Sequence, residues 1–299
     1  MSLIAPQCGT VLAGLVGRGI SRSRTPAMHM AEARAQGLAG EYRLLDTDMP
    51  GWRGMDLAAI LSAAEAGGFD GLNVTYPFKV EIVALLDALS DNAAAVGAVN
   101  TVVLRGGRRV GHNTDLWGFA EGFRRGLPDA CRAHVLLVGA GGAGAAVAHA
   151  LADCGVARLS IHDSEGARAA ALADRLRQTR PGLVAAAVDD IAALFAADRP
   201  DGLVNATPMG MAALPGMAVP ADLLDPALWV ADIVYVPLET ALLRAARARG
   251  CRVLDGSGMA VFQAVRAFEL FTGRPADPAR MRATFETFDT DTPRPEPGH

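Results

Sequence analysis

An apolar run at residues 135–138 leads directly into a glycine-rich segment at residues 139–144, and an alanine-rich stretch follows at residues 145–153. The glycines fit the pattern G-x-G-x-x-G, placed between a buried strand and a helix. They allow a tight turn and the close approach of a pyrophosphate, and the helix N-terminus offers N–H donors to it. This arrangement predicts a βαβ series with a dinucleotide site formed by Gly139, Ala140, Gly141, Gly142, Ala143 and Gly144.

The second strand of this series is predicted at residues 158–162 and is followed by Asp163. A carboxylate at this place hydrogen-bonds the adenosine ribose of NAD and repels the 2′-phosphate of NADP. Asp163 could also cap the helix that begins near Gly166, and the two roles can coexist. We expect NAD rather than NADP as the cofactor, with Arg168 as the nearby cation that would favour NADP.

The chain contains 27 arginines and a single lysine, Lys79. Coding bias towards arginine accounts for the missing lysines but not for the position of the remaining one. Lys79 ends the polar segment 73–79, which follows a predicted strand, and α/β sheets bind ligands at such strand ends. Asp115 completes a candidate pair for proton transfer, although it could equally cap the helix predicted at residues 117–125.

Asparagine is nearly as rare as lysine, with five in the chain, one of which is Asn92. The other four lie at or near predicted strands, close to threonines: Asn73, Asn100, Asn113 and Asn205. Such clusters are typical of turns, but their position at strand ends favours a polyhydroxylated ligand that needs amide and hydroxyl partners.

Composition excludes several classes of protein. A hydrophobic fraction of 51% is incompatible with a disordered chain, and a net charge of −4 argues against a nucleic-acid partner. The glycines within residues 135–152 argue against a membrane span, and residues 1–10 lack the features of a signal peptide, so we expect a cytoplasmic protein. The scattered cysteines predict reduced, half-buried thiols and no metal site: Cys8, Cys131, Cys154 and Cys251.

Alternating strand and helix patterns predict an α/β protein with two domains. An N-terminal α/β domain with a mainly parallel sheet precedes a Rossmann domain, and the chain ends in helices at residues 257–271 and 278–288. We expect a helix over residues 80–89, Thr25 as the cap of the first helix, and a disordered tail at residues 289–299.

Seven segments resemble, in order, motifs of the shikimate/quinate dehydrogenase family. They span residues 17–26, 73–79, 98–101, 111–115, 139–144, 205–211 and 255–263. The resemblance implies a substrate domain of residues 1–115 and 257–288, a nucleotide domain of residues 116–256, and an active site in the cleft between them. It implies that the protein binds neither membranes nor nucleic acids. It also implies that the protein is a monomer or a homodimer.

The resemblance also assigns roles to individual residues. Lys79 would be the acid/base at the reacting hydroxyl, with Asp115 as its partner. Ring hydroxyls would contact Asn73, Thr75, Asn100 and Gln263, and the ligand carboxylate would meet Ser23 and Thr25, with Tyr235 nearby. Further cofactor contacts would come from Asp163, Arg168, Asn205, Thr207, Pro208, Gly256 and Met259.

Two segments depart from the usual biosynthetic pattern of the family. Ser23-Arg24-Thr25 replaces Ser-x-Ser, and Asp163-Ser164-Glu165 replaces Asn-Arg-Ser/Thr. Both resemble the NAD-dependent quinate/shikimate branch, and the Thr25 methyl could accommodate the additional hydroxyl of quinate. The expected reaction is reversible oxidation of the ring C3 hydroxyl of quinate or shikimate to the 3-dehydro product. The alternatives are an NADP-linked biosynthetic shikimate dehydrogenase, an aminoshikimate dehydrogenase, and a non-catalytic nucleotide-binding redox sensor.

Overall fold

The computed structural model describes residues 9–290. By its internal contacts the chain divides into two compact units. Within the described residues, unit 1 comprises residues 9–90, Val99–His112 and residues 264–290, and unit 2 comprises Asp91–Ala98 and Asn113–Gln263.

The strands are β1 (Thr10–Gly17), β2 (Ala39–Asp46), β3 (Gly71–Val74), β4 (Ala88–Leu89), β5 (Thr101–Arg105), β6 (Arg108–His112), β7 (His134–Val138), β8 (Arg158–His162), β9 (Val184–Ala187), β10 (Gly202–Asn205), β11 (Trp229–Asp232) and β12 (Arg252–Leu254). The helices are α1 (Thr25–Ala35), α2 (Leu57–Ala66), α3 (Asp91–Val96), α4 (Thr114–Gly126), α5 (Gly142–Asp153), α6 (Gly166–Thr179), α7 (Ile191–Ala197), α8 (Ala241–Ala248), α9 (Ser257–Thr272) and α10 (Pro278–Thr290). Short 3-10 helices cover Glu81–Leu85 and Ala221–Leu223.

Unit 1 is built on a six-stranded sheet in the order β2-β1-β3-β5-β6-β4. β1 pairs in parallel with β2 and β3, whereas β5 is antiparallel to both β3 and β6. Because β5 runs against β3, the start of β5 lies at the same edge as the ends of β1 and β3. We call this edge the carboxyl edge of unit 1.

Unit 2 is a six-stranded, fully parallel sheet in the order β12-β11-β10-β7-β8-β9. Its central strands β7, β10 and β11 are buried along their whole length, as expected for strands covered on both faces. The order reverses at β7, which is the topology of a doubly wound Rossmann unit. The predicted α/β class is therefore confirmed.

The division between the units differs from the predicted boundaries, which place residues 91–98, 113–115 and 257–263 in the substrate domain. In the structure these residues belong to unit 2. Hydrogen bonds explain part of this: the Asn113 side chain donates to the Ala98 carbonyl (2.9 Å), and the Asn92 side chain donates to the Asn113 carbonyl (2.8 Å).

Three local predictions were wrong. Residues 80–89 form the 3-10 helix and then β4, which pairs with β6, rather than one helix. Arg24, not Thr25, is the N-cap residue of α1, although its side chain makes no capping hydrogen bond to the first turn, and Pro26 lies in that turn. Helix α10 extends to Thr290, so the first two residues of the predicted tail are helical, while residues 291–299 lie outside the described residues.

Among residues 9–290, Cys131, Cys154 and Cys251 are free thiols, but none is half-buried as predicted: Cys131 is exposed, and Cys154 and Cys251 are buried. Cys8 lies outside the described residues. That same part of the chain brings no three His, Cys, Asp or Glu side chains together in the manner of a metal site. No helix within it combines the length and apolar character needed to cross a bilayer.

Candidate active site

Two buried asparagines mark the carboxyl edge of unit 1. Asn73 lies near the end of β3 and is paired in the sheet with Thr101, and Asn100 precedes β5. The Asn73 side chain donates to the Thr101 hydroxyl (3.1 Å) and the Asn100 carbonyl (3.4 Å), and its own oxygen accepts from the Tyr42 hydroxyl (2.8 Å). The orientation of the Asn73 amide is therefore fixed from within the protein.

Lys79 follows the turn that leaves β3 and is half-buried. The Phe78 N–H donates to the Thr75 carbonyl (2.9 Å), and the Val99 N–H donates to the Lys79 carbonyl (2.7 Å). The second bond fixes the main chain of Lys79 next to the segment that carries Asn100. The structure thus gathers four of the predicted residues at one edge of unit 1: Asn73, Thr75, Lys79 and Asn100.

The loop after β1 leads to Ser23 and Thr25, where α1 begins. The Thr25 N–H donates to the Ser23 hydroxyl (3.3 Å). Asp46, which sequence reasoning missed, holds the start of this loop by accepting from the N–H groups of Gly19 and Ile20 (both 2.9 Å). Burial opposes ionisation of Asp46, but hydrogen bonds from backbone N–H groups keep its pKa below the ordinary value.

Arg24 lies between Ser23 and Thr25 in the sequence, but its side chain points towards α10 and away from their hydroxyls. Arg24 is buried, its guanidinium donates to the Phe285 carbonyl (3.2 Å), and it stacks over the Phe285 ring at 4.5 Å. Arg24 therefore attaches the start of α1 to α10.

In unit 2, the glycine-rich loop has the backbone that its sequence predicts. Gly139 has a φ of +104°, and a Cβ atom on Gly144 would lie 2.0 Å from the Gly139 carbonyl oxygen. Gly141 is the N-cap of α5, so N–H groups of the first turn lie beside the loop. A side chain at Gly139 or Gly144 would collide with Ala206 or with the Gly139 carbonyl, whereas the space beside Gly141 is open, so the loop fits the pyrophosphate of a dinucleotide.

Asp163 uses both carboxylate oxygens on backbone donors. One accepts from the Ala140 N–H in the glycine-rich loop (2.7 Å), and the other accepts from the Glu165 N–H (2.9 Å). The prediction that Asp163 caps α6 was wrong, because Glu165 is the N-cap residue of that helix. Arg168 pairs with the Glu165 carboxylate (2.8 Å) at the surface, so the cation that would favour NADP has an acidic neighbour that competes for it.

The loop after β10 is organised around Asn205, which is fully buried. Its oxygen accepts from the Thr207 N–H (3.1 Å) and hydroxyl (2.7 Å), and its amide donates to the Met209 carbonyl (3.0 Å). Asn205 and Thr207 therefore shape this loop, which also contains Pro208. The predicted cofactor contacts of these residues stay predictions.

Asp232, at the end of β11, is a buried acid that sequence reasoning missed. It accepts from the Asn205 amide (2.9 Å), the Val234 N–H (3.0 Å) and the Thr240 hydroxyl (2.7 Å). Burial raises the pKa of Asp232 and these hydrogen bonds partly offset the rise. Asp232 joins the loop after β10 to the loop that carries Tyr235.

Asp115 lies in the first turn of α4 and is buried. The alternative prediction, that Asp115 caps this helix, was wrong. The Asn113 side chain caps α4 by accepting from the Leu116 N–H (3.0 Å). One turn further on, a Cβ atom on Gly118 would lie 2.7 Å from the backbone of Gln263, so α4 and α9 cross closely there.

Three other predicted residues of unit 2 have mainly structural surroundings. The Gln263 side chain donates to the Ala260 carbonyl (3.1 Å), Met259 is part of the core, and a Cβ atom on Gly256 would lie 2.5 Å from the Ile233 carbonyl oxygen. Tyr235 is 37% exposed, and its predicted contact with the substrate stays a prediction.

Comparisons with known proteins agree with these features. Residues 15–102 match the shikimate dehydrogenase substrate binding domain, and residues 256–284 match the shikimate 5'-dehydrogenase C-terminal domain. The chain is 55% identical to the shikimate dehydrogenase (NADP(+)) of Streptomyces avermitilis over 91% of its length and 94% of the relative. The chain belongs to the shikimate dehydrogenase family.

Two other members of the shikimate dehydrogenase family carry a different cofactor in their names. The quinate/shikimate dehydrogenase (NAD(+)) of Corynebacterium efficiens is 52% identical over 92% of this chain and 98% of the relative. The solved quinate dehydrogenase of Corynebacterium glutamicum, in complex with NAD, superposes with a TM-score of 0.88 at 49% identity and covers 93% of this chain and 99% of that one. The family is thus shown, while its members differ in cofactor.

Proposed function

We propose that this protein reversibly oxidises the ring C3 hydroxyl of quinate, shikimate or both with NAD, giving the 3-dehydro product. The observation that carries the proposal is the carboxyl edge of unit 1. It holds a lysine among buried asparagine and threonine side chains, in a chain that also carries a Rossmann unit. The names of the Corynebacterium relatives support the same reaction class.

The choice of NAD rests on the surroundings of Asp163. Two acidic side chains, Asp163 and Glu165, lie at the end of β8, and the second of them pairs with Arg168. A 2′-phosphate would face Asp163 without an unpaired cation in this segment, whereas ribose hydroxyls can donate to the carboxylate. When bound, the nicotinamide takes up the hydride, and the protein has to position the ring alcohol and remove its proton.

Lys79 is the proposed acid/base. A lysine ammonium can exchange a proton with an alcohol oxygen, whereas an arginine guanidinium stays protonated over the whole working range. Asp115 is the proposed partner for this proton on unit 2.

The remaining polar residues are proposed to bind the substrate. Asn73, Thr75 and Asn100 would hold ring hydroxyls together with Gln263, and Ser23 and Thr25 would hold the carboxylate, with Tyr235 nearby. The methyl group of Thr25 is the feature that would admit quinate, which has an additional hydroxyl at the carbon bearing the carboxylate.

One spectrophotometric assay tests the proposal by following reduced-cofactor absorbance while NAD and NADP are each combined with quinate and shikimate. We expect turnover with NAD and with at least one of the two acids. Turnover with NADP and shikimate alone would instead indicate the NADP-linked biosynthetic enzyme. Nucleotide binding without turnover of either acid would favour a non-catalytic sensor, and activity only with an amino-substituted analogue would move the substrate to that class.

A cytoplasmic location and a monomeric or homodimeric state are part of the proposal. Cell fractionation and light scattering of the purified protein test them.

A further inference from the structure

We infer that Tyr42 is a positioning residue that makes Asn73 present a hydrogen-bond acceptor, and no donor, to the ligand. The inference rests on the proposed function, because it concerns how the carboxyl edge of unit 1 would bind the substrate. Tyr42 belongs to none of the motifs that carry the family resemblance, and it acts from a different strand.

Sheet register places Tyr42 and Asn73 on the same face. Tyr42 on β2 is paired with Ala13 of β1, and Asn73 on β3 is paired with Leu15 of the same strand. Positions two apart along a strand point to the same side, so the two side chains share one face on either side of β1. The small Ala13 leaves room for the Tyr42 ring to reach across β1, and the hydroxyl arrives 2.8 Å from the Asn73 oxygen.

The hydrogen-bonding capacity of the Asn73 side chain is nearly used up. An amide group has two N–H donors and an oxygen with two lone pairs. Both donors are directed at protein acceptors, Thr101 and the Asn100 carbonyl, and one lone pair receives the Tyr42 hydroxyl. One acceptor position on the oxygen remains for a ligand.

Tyr42 is kept in its donating form by its surroundings. Burial raises the pKa of the Tyr42 hydroxyl well above its ordinary value, so the proton stays on it at neutral pH. The ring packs against His29 with 4.9 Å between centroids, and His29 in turn contacts Phe268 and Phe271. Because burial lowers the pKa of His29 to about 3, this neighbour is neutral and adds no charge beside Tyr42.

The free acceptor position on Asn73 restricts which ligand group can bind opposite it. The ligand group opposite Asn73 must donate a hydrogen bond, as a hydroxyl or an ammonium does and a ketone oxygen does not. Asn73 therefore suits a ring hydroxyl that keeps its proton throughout the reaction, rather than the hydroxyl that becomes the carbonyl.

Tyr42→Phe tests the inference because it removes one oxygen and keeps the packed ring. We expect KM for the ring acid to rise about fivefold, the effect of losing one neutral hydrogen bond, with KM for NAD unchanged. Thr284→Val is the matched control: it removes a half-buried hydroxyl of unit 1 that donates to the Arg280 carbonyl (3.1 Å), and it should leave both KM values unchanged. Thermal melting of each variant establishes that it is folded.

A double-mutant cycle with Asn73→Ala separates positioning from general packing. If Tyr42 acts through Asn73, Tyr42→Phe will change KM for the acid in the wild-type background but not in the Asn73→Ala background. Equal effects in both backgrounds, or an unchanged KM in Tyr42→Phe alone, would overturn the inference and leave the proposed function intact. A wild-type protein that turns over neither acid would overturn the proposed function itself, and this inference with it.

Discussion

The main chain of Lys79 is held by the hydrogen bond from the Val99 N–H to its carbonyl, next to the segment that carries Asn100. It is the single lysine in a chain with 27 arginines, so arginine is well tolerated elsewhere in the sequence. Charge alone therefore does not explain a lysine at this position, whereas proton exchange does.

Lys79→Arg keeps the charge and most of the length of the side chain but replaces the ammonium with a guanidinium, which does not release its proton in the working pH range. We expect kcat to fall at least about 100-fold, the usual scale of acid–base catalysis. NAD affinity, measured by fluorescence titration, and the melting temperature should match the wild type. A near-normal kcat would remove Lys79 from the mechanism.

Asp163→Ser tests the origin of cofactor choice, because it removes the charge that repels a 2′-phosphate and the acceptor for the Ala140 N–H. The ratio of kcat/KM for NADP to that for NAD should rise about tenfold or more, since about 1.4 kcal/mol of repulsion is a factor of ten. Adding Glu165→Gln should raise the ratio further by releasing Arg168, and Arg168→Gln should cancel that gain. An unchanged ratio in all three would place cofactor choice elsewhere.

Sequence reasoning found the residues whose rarity or local motif marks them, such as Lys79, Asp163 and the glycines. It missed Tyr42 and Asp232, whose partners Asn73 and Asn205 lie 31 and 27 positions away. Nothing in the local sequence records a hydrogen bond that forms only when two strands have been placed side by side.

Among the elements, the strands of unit 2 agree closely with prediction because continuous apolar runs bounded by turns are a strong local signal. Residues 80–89 fail for the opposite reason. The end of this segment is bonded to β6, from the Asp87 N–H to the Arg109 carbonyl (3.0 Å) and, just after the segment, from the Ser90 N–H to the Gly111 carbonyl (2.9 Å). A distant strand therefore decides the structure of a segment whose own sequence favours a helix.

Helix α10 is attached to α1 at two places, and they predict different effects. Near the start of α1, Arg24 contacts Phe285; near its end, the buried Glu32 accepts from Arg280 (2.7 Å) and from the Asp277 N–H (3.1 Å). Arg24→Met and Arg280→Met should each lower the free energy of unfolding by about 1–2 kcal/mol.

Only Arg24→Met should also raise KM for the ring acid, because Arg24 lies between Ser23 and Thr25, whereas Arg280 of α10 contacts α1 near its other end, at Glu32. Steady-state kinetics of the two variants, compared at matched fractions folded, provide the measurement. Equal KM values would show that α10 stabilises the unit without arranging the site.

On the scale of the whole molecule, each unit contains a buried neutral histidine. Burial lowers the pKa of His29 in unit 1 to about 3, and burial with the nearby Arg180 and Arg175 lowers that of His149 in unit 2 to about 4. Below the unfolded value of 6.5 the unfolded chain takes up protons that the folded chain does not, so stability falls as pH falls from 6.5 towards 4.

His149→Leu should reduce this loss. Neither ring nitrogen of His149 has a hydrogen-bond partner among the described residues, so the substitution breaks no such bond. Relative to the wild type, the variant should gain about 2 kcal/mol of unfolding free energy between about pH 7.5 and pH 5. Denaturant titrations at the two pH values measure the gain, and parallel pH dependences would contradict it.

The attachment of Arg24 to Phe285 has a consequence for biosynthesis. The two residues are 261 positions apart, so the ribosome releases one near the beginning of translation and the other near its end. The long segment Asn113–Gln263 of unit 2 is complete before α10 emerges. Domains generally fold as units during synthesis, so unit 2 can fold on the nascent chain before α10 is available to pack against α1. Premature termination before α10 would leave a polypeptide that contains all of unit 2 but lacks the last helix of unit 1.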